Sequence, residues 1–293
     1  MWHKHGLIYN LGKAQCPVVC KNEDYWRIYF TDRNEKNQNI ANFIDVEPGN
    51  PAKVKTAKKT ILQPGKPGDC DSAGVMPTAF YNNNLYYIGW TLRQDVPYFN
   101  YTCVAQKYRE NYVKLGPVLS PTLNDPGYSG TLGIYQSDYI LFGYYLSCVG
   151  WLPDENNKLQ PSYNIKMATS LDGIRWNKLG KTAIDLEEDE AGISSATVIK
   201  KRLYHMWFCV RKAKNFRNKK ENSYKIKHAT SEDGYTWTRD EKYAIFSELE
   251  FEKIMCAYPN VIVHEDKIHM FYNGDGFGQT GIAHATMELK YLC

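Results

Sequence analysis

No apolar run in this sequence is long enough to cross a bilayer as a helix. The longest, Tyr139 to Leu146, falls far short of the ~20 residues a spanning helix needs. The residues after Met1-Trp2-His3-Lys4-His5 do not form the apolar stretch of a signal peptide. Charge of one sign is scarce as well: the net charge is +4 and the basic residues are scattered. Their densest run, 212–220, lies between two strand-like segments and reads as a solvated loop. Without a basic face joined to a known motif, neither nucleic acid nor membrane is an expected partner. The 8 cysteines are spread from Cys16 to Cys293, with neither the dense spacing of a disulfide scaffold nor a second Cys/His pair at zinc-site distance from Cys16 and Cys20. The expectation is a reduced, cytoplasmic chain with no metal and no cofactor. Helical periodicity of useful length is missing too, which leaves strands.

Aromatics, by contrast, are plentiful. They make up 14% of the chain, including 23 Tyr and 7 Trp, residues that suit pleated, half-buried surfaces. Their arrangement repeats. Tyr163-Asn-Ile-Lys-Met-Ala-Thr-Ser-Leu-Asp-Gly-Ile-Arg-Trp176 and Tyr224-Lys-Ile-Lys-His-Ala-Thr-Ser-Glu-Asp-Gly-Tyr-Thr-Trp237 share Tyr, Ile, Lys, Ala-Thr-Ser, Asp-Gly and Trp. The physical reading is a strand, an Asp-Gly turn whose Gly supplies positive φ, and a Trp that packs back under the turn. The alanine before Thr-Ser has counterparts, so the markers run Ala41, Ala105, Ala168, Ala229 and Ala285, spaced by 64, 63, 61 and 56 residues. Two apolar strands precede each marker. A unit of three to four strands cannot bury both faces of its sheet alone, so the units must stack, and radial stacking gives a propeller. The expected fold is therefore all-β: a five-bladed β-propeller, single domain. Its blades span roughly 11–50, 70–115, 125–180, 190–245 and 254–289, and the N-terminal segment closes the ring. A β-sandwich of unrelated hairpins is the alternative.

The repeated Ala-Thr-Ser-x-Asp-Gly-x-x-Trp and the prolines heading the blades resemble the five-bladed propeller glycoside hydrolases, a superfamily of arabinanases, β-xylosidases, invertases, levansucrases and mannoside phosphorylases. Gly74-Val-Met-Pro77, Tyr87-Ile-Gly-Trp90, Met206-Trp207 and Ala257-Tyr258-Pro259 are similar to a bacterial branch tied to surface-polysaccharide gene clusters. The resemblance implies a catalytic Asp just before the proline of the first inner strand. Cys16 stands there, before Pro17, and the later equivalents are Met76, Gly130, Ser195 and Tyr258, so the usual trio of acids is missing.

A second register offers other carboxylates. Six residues ahead of the inner strands of three consecutive blades lie Asp71, Asp125 and Glu190, the candidate acid, base or nucleophile. Competing readings are turn residues for Asp71 and Asp125 and a solvated acidic run for Glu190. The second strands return to the same mouth, bringing Asp32, Arg33, Trp90, Trp151, Arg211 and Asn273, with Tyr258 from an inner strand and His5 from the closing segment. Aromatic faces for sugar C–H surfaces, and Arg, Asn and carboxylates for hydroxyls or phosphate, suit a carbohydrate or nucleotide-sugar ligand. The expected function is a glycosidase-like enzyme performing hydrolysis, transfer or phosphorolysis in bacterial polysaccharide metabolism. The alternative is a non-catalytic glycan- or nucleotide-sugar-binding propeller.

Overall fold

The computed structural model describes residues 1–123 and 125–292. The chain is nearly all β and propeller-like. Its strands run in consecutive antiparallel groups, each traced from an inner strand outward. The N-terminal strand is β1 (His3–Tyr9). The first group is β2 (Gln15–Lys21), β3 (Trp26–Arg33) and β4 (Asn39–Glu47), with β5 (Asn50–Val54) and β6 (Lys59–Leu62) paired to β4. Next come β7 (Gly74–Tyr81), β8 (Asn84–Leu92), β9 (Tyr98–Tyr108) and β10 (Asn111–Leu119). They are followed by β11 (Ser129–Gln136), β12 (Leu141–Pro153), β13 (Leu159–Ser170) and β14 (Asn177–Ile184). A further group is β15 (Glu190–Lys200), β16 (Tyr204–Lys212), β17 (Lys225–Ser231) and β18 (Thr238–Ile245). The last is β19 (Ala257–His264), β20 (Lys267–Asn273) and β21 (Ile282–Glu288). Its outer place is taken by β1, which pairs antiparallel with β21 and so ties the chain's beginning to its end.

The Asp-Gly turns form as their chemistry requires. Gly173 and Gly234 take φ of 75° and 76°. The Asp172 carboxylate accepts from the Ile174 and Arg175 amides, and Asp233 does the same for Tyr235 and Thr236. The Trp176 and Trp237 indoles donate to the Gly173 and Gly234 carbonyls at 3.0 and 3.2 Å. A tyrosine of the preceding group reaches each same carbonyl, Tyr86 to Gly173 and Tyr144 to Gly234. The motif is thus a turn and also a fastener between neighbouring sheets.

The core lies between sheets, face against face. Val18, Tyr29 and Phe43 pack on Leu85 and Tyr87, and Tyr86 and Val104 on Tyr145 and Ala168. Tyr144 and Met167 meet Met206 and Phe208, and Trp207 and Ile226 meet Met270 and Tyr272. Phe271 and Ile282 then meet Trp26 and Phe30, which returns to the first group. Inner strands are stitched by hydroxyl and amide side chains, as in Ser195 N–H to Thr131 Oγ1, Val261 N–H to Thr197 Oγ1 and Val19 N–H to Asn260 Oδ1. Each inner strand carries a bulge near its start, between Gln15 and Val18, Pro77 and Ala79, Ser129 and Leu132, Ser194 and Thr197, and Ala257 and Asn260. The bulge turns Cys16, Ser195 and Tyr258 into left-handed backbone, at φ of 57°, 56° and 55°.

Candidate functional site

The bulged ends of the inner strands and the adjoining ends of the second and third strands surround a cavity of about 340 Å³. Among its walls are Trp90 from β8, Tyr98 and Asn100 from β9, Tyr163 from β13, Arg211 from β16 and Tyr258 from β19. A wider groove of about 1790 Å³ runs into it, sharing Arg33, Asn39, Trp90 and Tyr98. Neighbouring sheets touch at this end through single parallel bridges, Asn39 to Gly74 and Tyr163 to Gly192. Glycine is required at both. A Cβ on Gly192 would lie 2.7 Å from the Tyr163 ring, and one on Gly74 would lie 2.9 Å from the Asn39 Cβ.

Aromatic rings make much of the wall. Trp90 and Tyr98 have ring centroids 4.7 Å apart, and Tyr224 sits 6.2 Å from Tyr258 and 6.0 Å from Phe277. Phe277 holds left-handed backbone at φ 58°, which is costly for a bulky residue and is found where a site over-determines it. Polar atoms are left over in the same wall. The Trp90 indole N–H and the amide oxygens of Asn39 and Asn100 are buried with no partner among the described residues. A buried orphan of this kind is destabilising by about 1–3 kcal/mol. Cys16, in the place where the resembled family carries an acid, is buried, and desolvation lifts its thiol to about 12. It is neither a carboxylate nor a ready nucleophile.

Of the expected site residues, Arg33, Trp90, Arg211 and Tyr258 line the cavity. The other expected site residues are elsewhere, each for an evident reason. Asp71, Asp125 and Glu190 do occupy equivalent positions, but none lines the cavity; each reaches across its own sheet to cations on the outer strands. Asp71 takes the Lys114 ammonium at 2.6 Å and the Tyr87 hydroxyl at 3.1 Å. Asp125 lies between Lys166 and Lys178, both at 2.8 Å, and also accepts from Tyr145 and Ser147. Burial opposes its ionisation, yet the bonds from Lys166, Lys178 and Ser147 win and hold its carboxyl at about 2. Glu190 accepts from Arg239 at 2.9 Å and faces Lys227 at 3.6 Å. These carboxylates clasp entry loops to sheets.

Asp32 turns from the cavity to pair with Lys58. Trp151 stands behind the wall, against the Tyr98 and Tyr128 rings. Asn273 is fully buried and structural: its amide accepts from the Cys16 N–H at 2.8 Å and donates to the Ala14 and Gly281 carbonyls. His5 is on the outermost strand, bonded to Thr286 and stacked on His284 at 4.8 Å, because β1 closes the sheet at its periphery.

Several wall residues escaped the sequence reading: Lys13, Asn39, Tyr98, Asn100, Tyr128, Tyr163, Arg217 and Tyr224. A signal existed for three. Counting five residues back from the repeated alanine gives Asn100, Tyr163 and Tyr224, the mouth ends of successive third strands.

No protein-family model matches the chain. Two uncharacterized proteins of Mycobacterium tuberculosis, from strains CDC 1551 / Oshkosh and ATCC 25618 / H37Rv, are each 31% identical over 279 residues, covering 90% of this chain and 89% of theirs. Among solved structures, a glycosyl hydrolase from Bacteroides ovatus superposes with a TM-score of 0.71 at 13% identity, covering 97% of this chain and 86% of that one. An alpha-L-arabinofuranosidase from Lactobacillus brevis gives 0.69 at 11% identity, with 96% and 92% covered. A Bombyx mori GH32 beta-fructofuranosidase gives 0.67 at 13% identity, with 97% and 61% covered. The chain belongs to one family with the two mycobacterial proteins, and its fold is that of the propeller glycoside hydrolases.

Proposed function

We propose that this chain is a single-domain, five-bladed propeller whose central cavity binds a carbohydrate, by hydrogen bonds and aromatic stacking rather than by paired catalytic carboxylates. The observation that carries this reading is the set of unpartnered buried atoms, Trp90 Nε1, Asn39 Oδ1 and Asn100 Oδ1, around one cavity walled by aromatic rings. Sugars present hydroxyls to such atoms and C–H faces to such rings. Glycoside hydrolysis needs an acid opposite a base or nucleophile. No Asp or Glu is among the described residues lining the cavity, which favours recognition over hydrolysis. The five-bladed reading draws support from the cyclic order of sheet packing and from the pairing of β1 with β21. A reduced cytoplasmic setting and a role in bacterial polysaccharide metabolism belong to the same proposal; all seven described cysteines are free.

Calorimetric titration with a panel of sugars tests it. We expect at least one sugar to bind, and Trp90→Phe and Asn100→Ala each to weaken it about tenfold, the loss of one or two hydrogen bonds. Parent-like affinity in both variants would remove the cavity from the reading. Turnover of aryl glycosides that is lost in Asp71→Asn or Glu190→Gln, with folding intact, would restore a hydrolytic assignment.

A further inference from the structure

The cavity wall holds four cationic side chains, Lys13, Arg33, Arg211 and Arg217, and no carboxylate among its described residues. Arg211 is the most telling. Only 2% of it is exposed, yet its hydrogen bonds go to neutral oxygens alone. Nε donates to the Tyr163 hydroxyl at 3.0 Å, Nη1 to the Lys212 carbonyl at 2.9 Å and Nη2 to the Pro161 carbonyl at 2.6 Å. A guanidinium has five N–H donors, so these three bonds leave two over. Two ring faces lie against it, Phe216 at 4.3 Å and Tyr163 at 4.9 Å from the guanidinium carbon.

Elsewhere in the molecule the buried Arg27 and the half-buried Arg239 are each matched to an acid. Arg27 makes a two-pronged pair with Asp45 at 2.8 and 3.0 Å, and Arg239 is bonded to Glu190. Arg211 has no such partner among the described residues. Its seat is nevertheless built with care. The β15 backbone comes so close that a Cβ on Gly192 would stand 3.0 Å from Arg211 Nε. Tyr163, its hydroxyl acceptor, is in turn bonded to Tyr224, another wall residue. At the mouth, Lys13 has its ammonium pKa lowered, first by burial and then by the neighbouring Arg33. The carboxylate felt there, Asp32, is occupied by Lys58. An isolated buried charge is unfavourable unless something compensates it. Arginine also presents paired donors that match carboxylate and phosphate oxygens.

We infer that the cavity's ligand is an anionic sugar, with its phosphate or carboxylate group held by Arg211 and screened at the mouth by Arg33, Arg217 and Lys13. This rests on the cavity being a sugar site, and it adds the chemical class of the sugar. The neutral part of the ligand meets the aromatic rings and the Asn39, Asn100 and Trp90 atoms. The charged part completes Arg211, a buried arginine with no counter-ion among the described residues.

The test is calorimetry in a buffer free of phosphate and carboxylate. The probes are glucose, galactose and mannose, their 1-phosphates, their uronic acids, and inorganic phosphate alone. Charged forms are expected to bind at least tenfold more tightly than the parent hexose, and to weaken as salt is raised. Preference for the 1-phosphates assigns a phosphate group, and preference for the uronic acids assigns a carboxylate. Arg211→Met should remove the preference, and Arg33→Ala, a change at an exposed position, should reduce it without disturbing the fold. Hexoses that bind as tightly as both charged series would overturn the anionic class and leave the sugar site standing. Inorganic phosphate that binds in an Arg211-dependent way, with no sugar binding, would keep the anion and overturn the sugar. No binding by any probe would overturn both.

Discussion

Two regions of this molecule handle buried charge in opposite ways. On the sheets, Asp71, Asp125 and Glu190 each sit at the entrance of an inner strand and are met by lysines or arginine from the outer strands of the same sheet. In the cavity, Arg211 is more deeply buried than Arg239, yet among the described residues its hydrogen bonds go to neutral oxygens. The first arrangement is complete within the protein and the second is not. Completed pairs hold a fold together, whereas an uncompensated charge in a pocket marks where something else is bound. The difference separates residues that look equally functional in the sequence.

The largest expected effect lies with Asp125. Asp125→Ala leaves Lys166 and Lys178 facing each other with side chains 14% and 8% exposed, and strips acceptors from Ser147 and Tyr145. Removing one member of a buried ionic group is destabilising by about 3–5 kcal/mol. Urea denaturation should show that loss, while sugar affinity of the folded variant stays at the parent level. A stable variant with altered affinity or turnover would move Asp125 from the sheet to the site and erase the contrast.

Much of the fold is legible in the sequence because its key device is local. The Asp-Gly turn and its tryptophan are contained within Asp172 to Trp176 and Asp233 to Trp237, so a motif of nine positions carries the geometry with it. The carboxylate register is legible as a register, but its meaning is not. The partners of Asp125 are at Lys166 and Lys178, on strands reached only after two and three reversals of the chain. Nothing near Asp125 in sequence announces them. Trp151 and Asn273 illustrate the same gap from the other side. Both are at the expected end of a second strand, yet the side chain of one is behind the wall and that of the other bonds backbone beneath it. Asn100, Tyr163 and Tyr224 could have been counted from the repeated alanine, since they mark the same third-strand position, but the motif also reads as ordinary strand sequence.

Acid should act on a different part of the molecule from either region. His269 and His284 are buried on the two middle strands of the last sheet, bonded ring to ring at 3.0 Å, and burial lowers them to about 4 and about 3. His205 is lowered to about 4, by burial first and then by His228. A folded pKa below the unfolded value of about 6.5 means that the unfolded chain takes up protons first. The contribution is complete above about pH 6.5 and is lost as pH falls toward 4. Taking the linked pair as one proton and His205 as another, the loss at pH 5 is roughly 2–4 kcal/mol. Thermal unfolding from pH 7 to 5 should show it. Asp125, at about 2, keeps its clasp across that range, and the arginines keep their charge. Affinity of the folded protein for the uronic acids, which stay ionised over that range, should therefore hold while stability falls. Parallel losses of both would place a titrating histidine at the site.

The smallest effect on stability is expected where the effect on binding is greatest. Arg211→Met exchanges a buried guanidinium for an apolar chain of similar reach among Phe216, Tyr163 and Tyr224. The protein loses three hydrogen bonds to neutral oxygens, which contribute about 0.5–1.5 kcal/mol each, more from a charged donor. Against this it no longer keeps a charge in a site with no counter-charge. The three acceptors are left without their donor, so some stability is lost, but less than in Asp125→Ala because no unpaired charge is left behind. Denaturation of Arg211→Met and Asp125→Ala side by side measures the contrast directly. If the two variants unfold with similar losses, Arg211 is a clasp like the others, completed by carbonyls and rings instead of a carboxylate. If Arg211→Met is as stable as the parent while Asp125→Ala is not, the protein retains a charge that its own fold does not use.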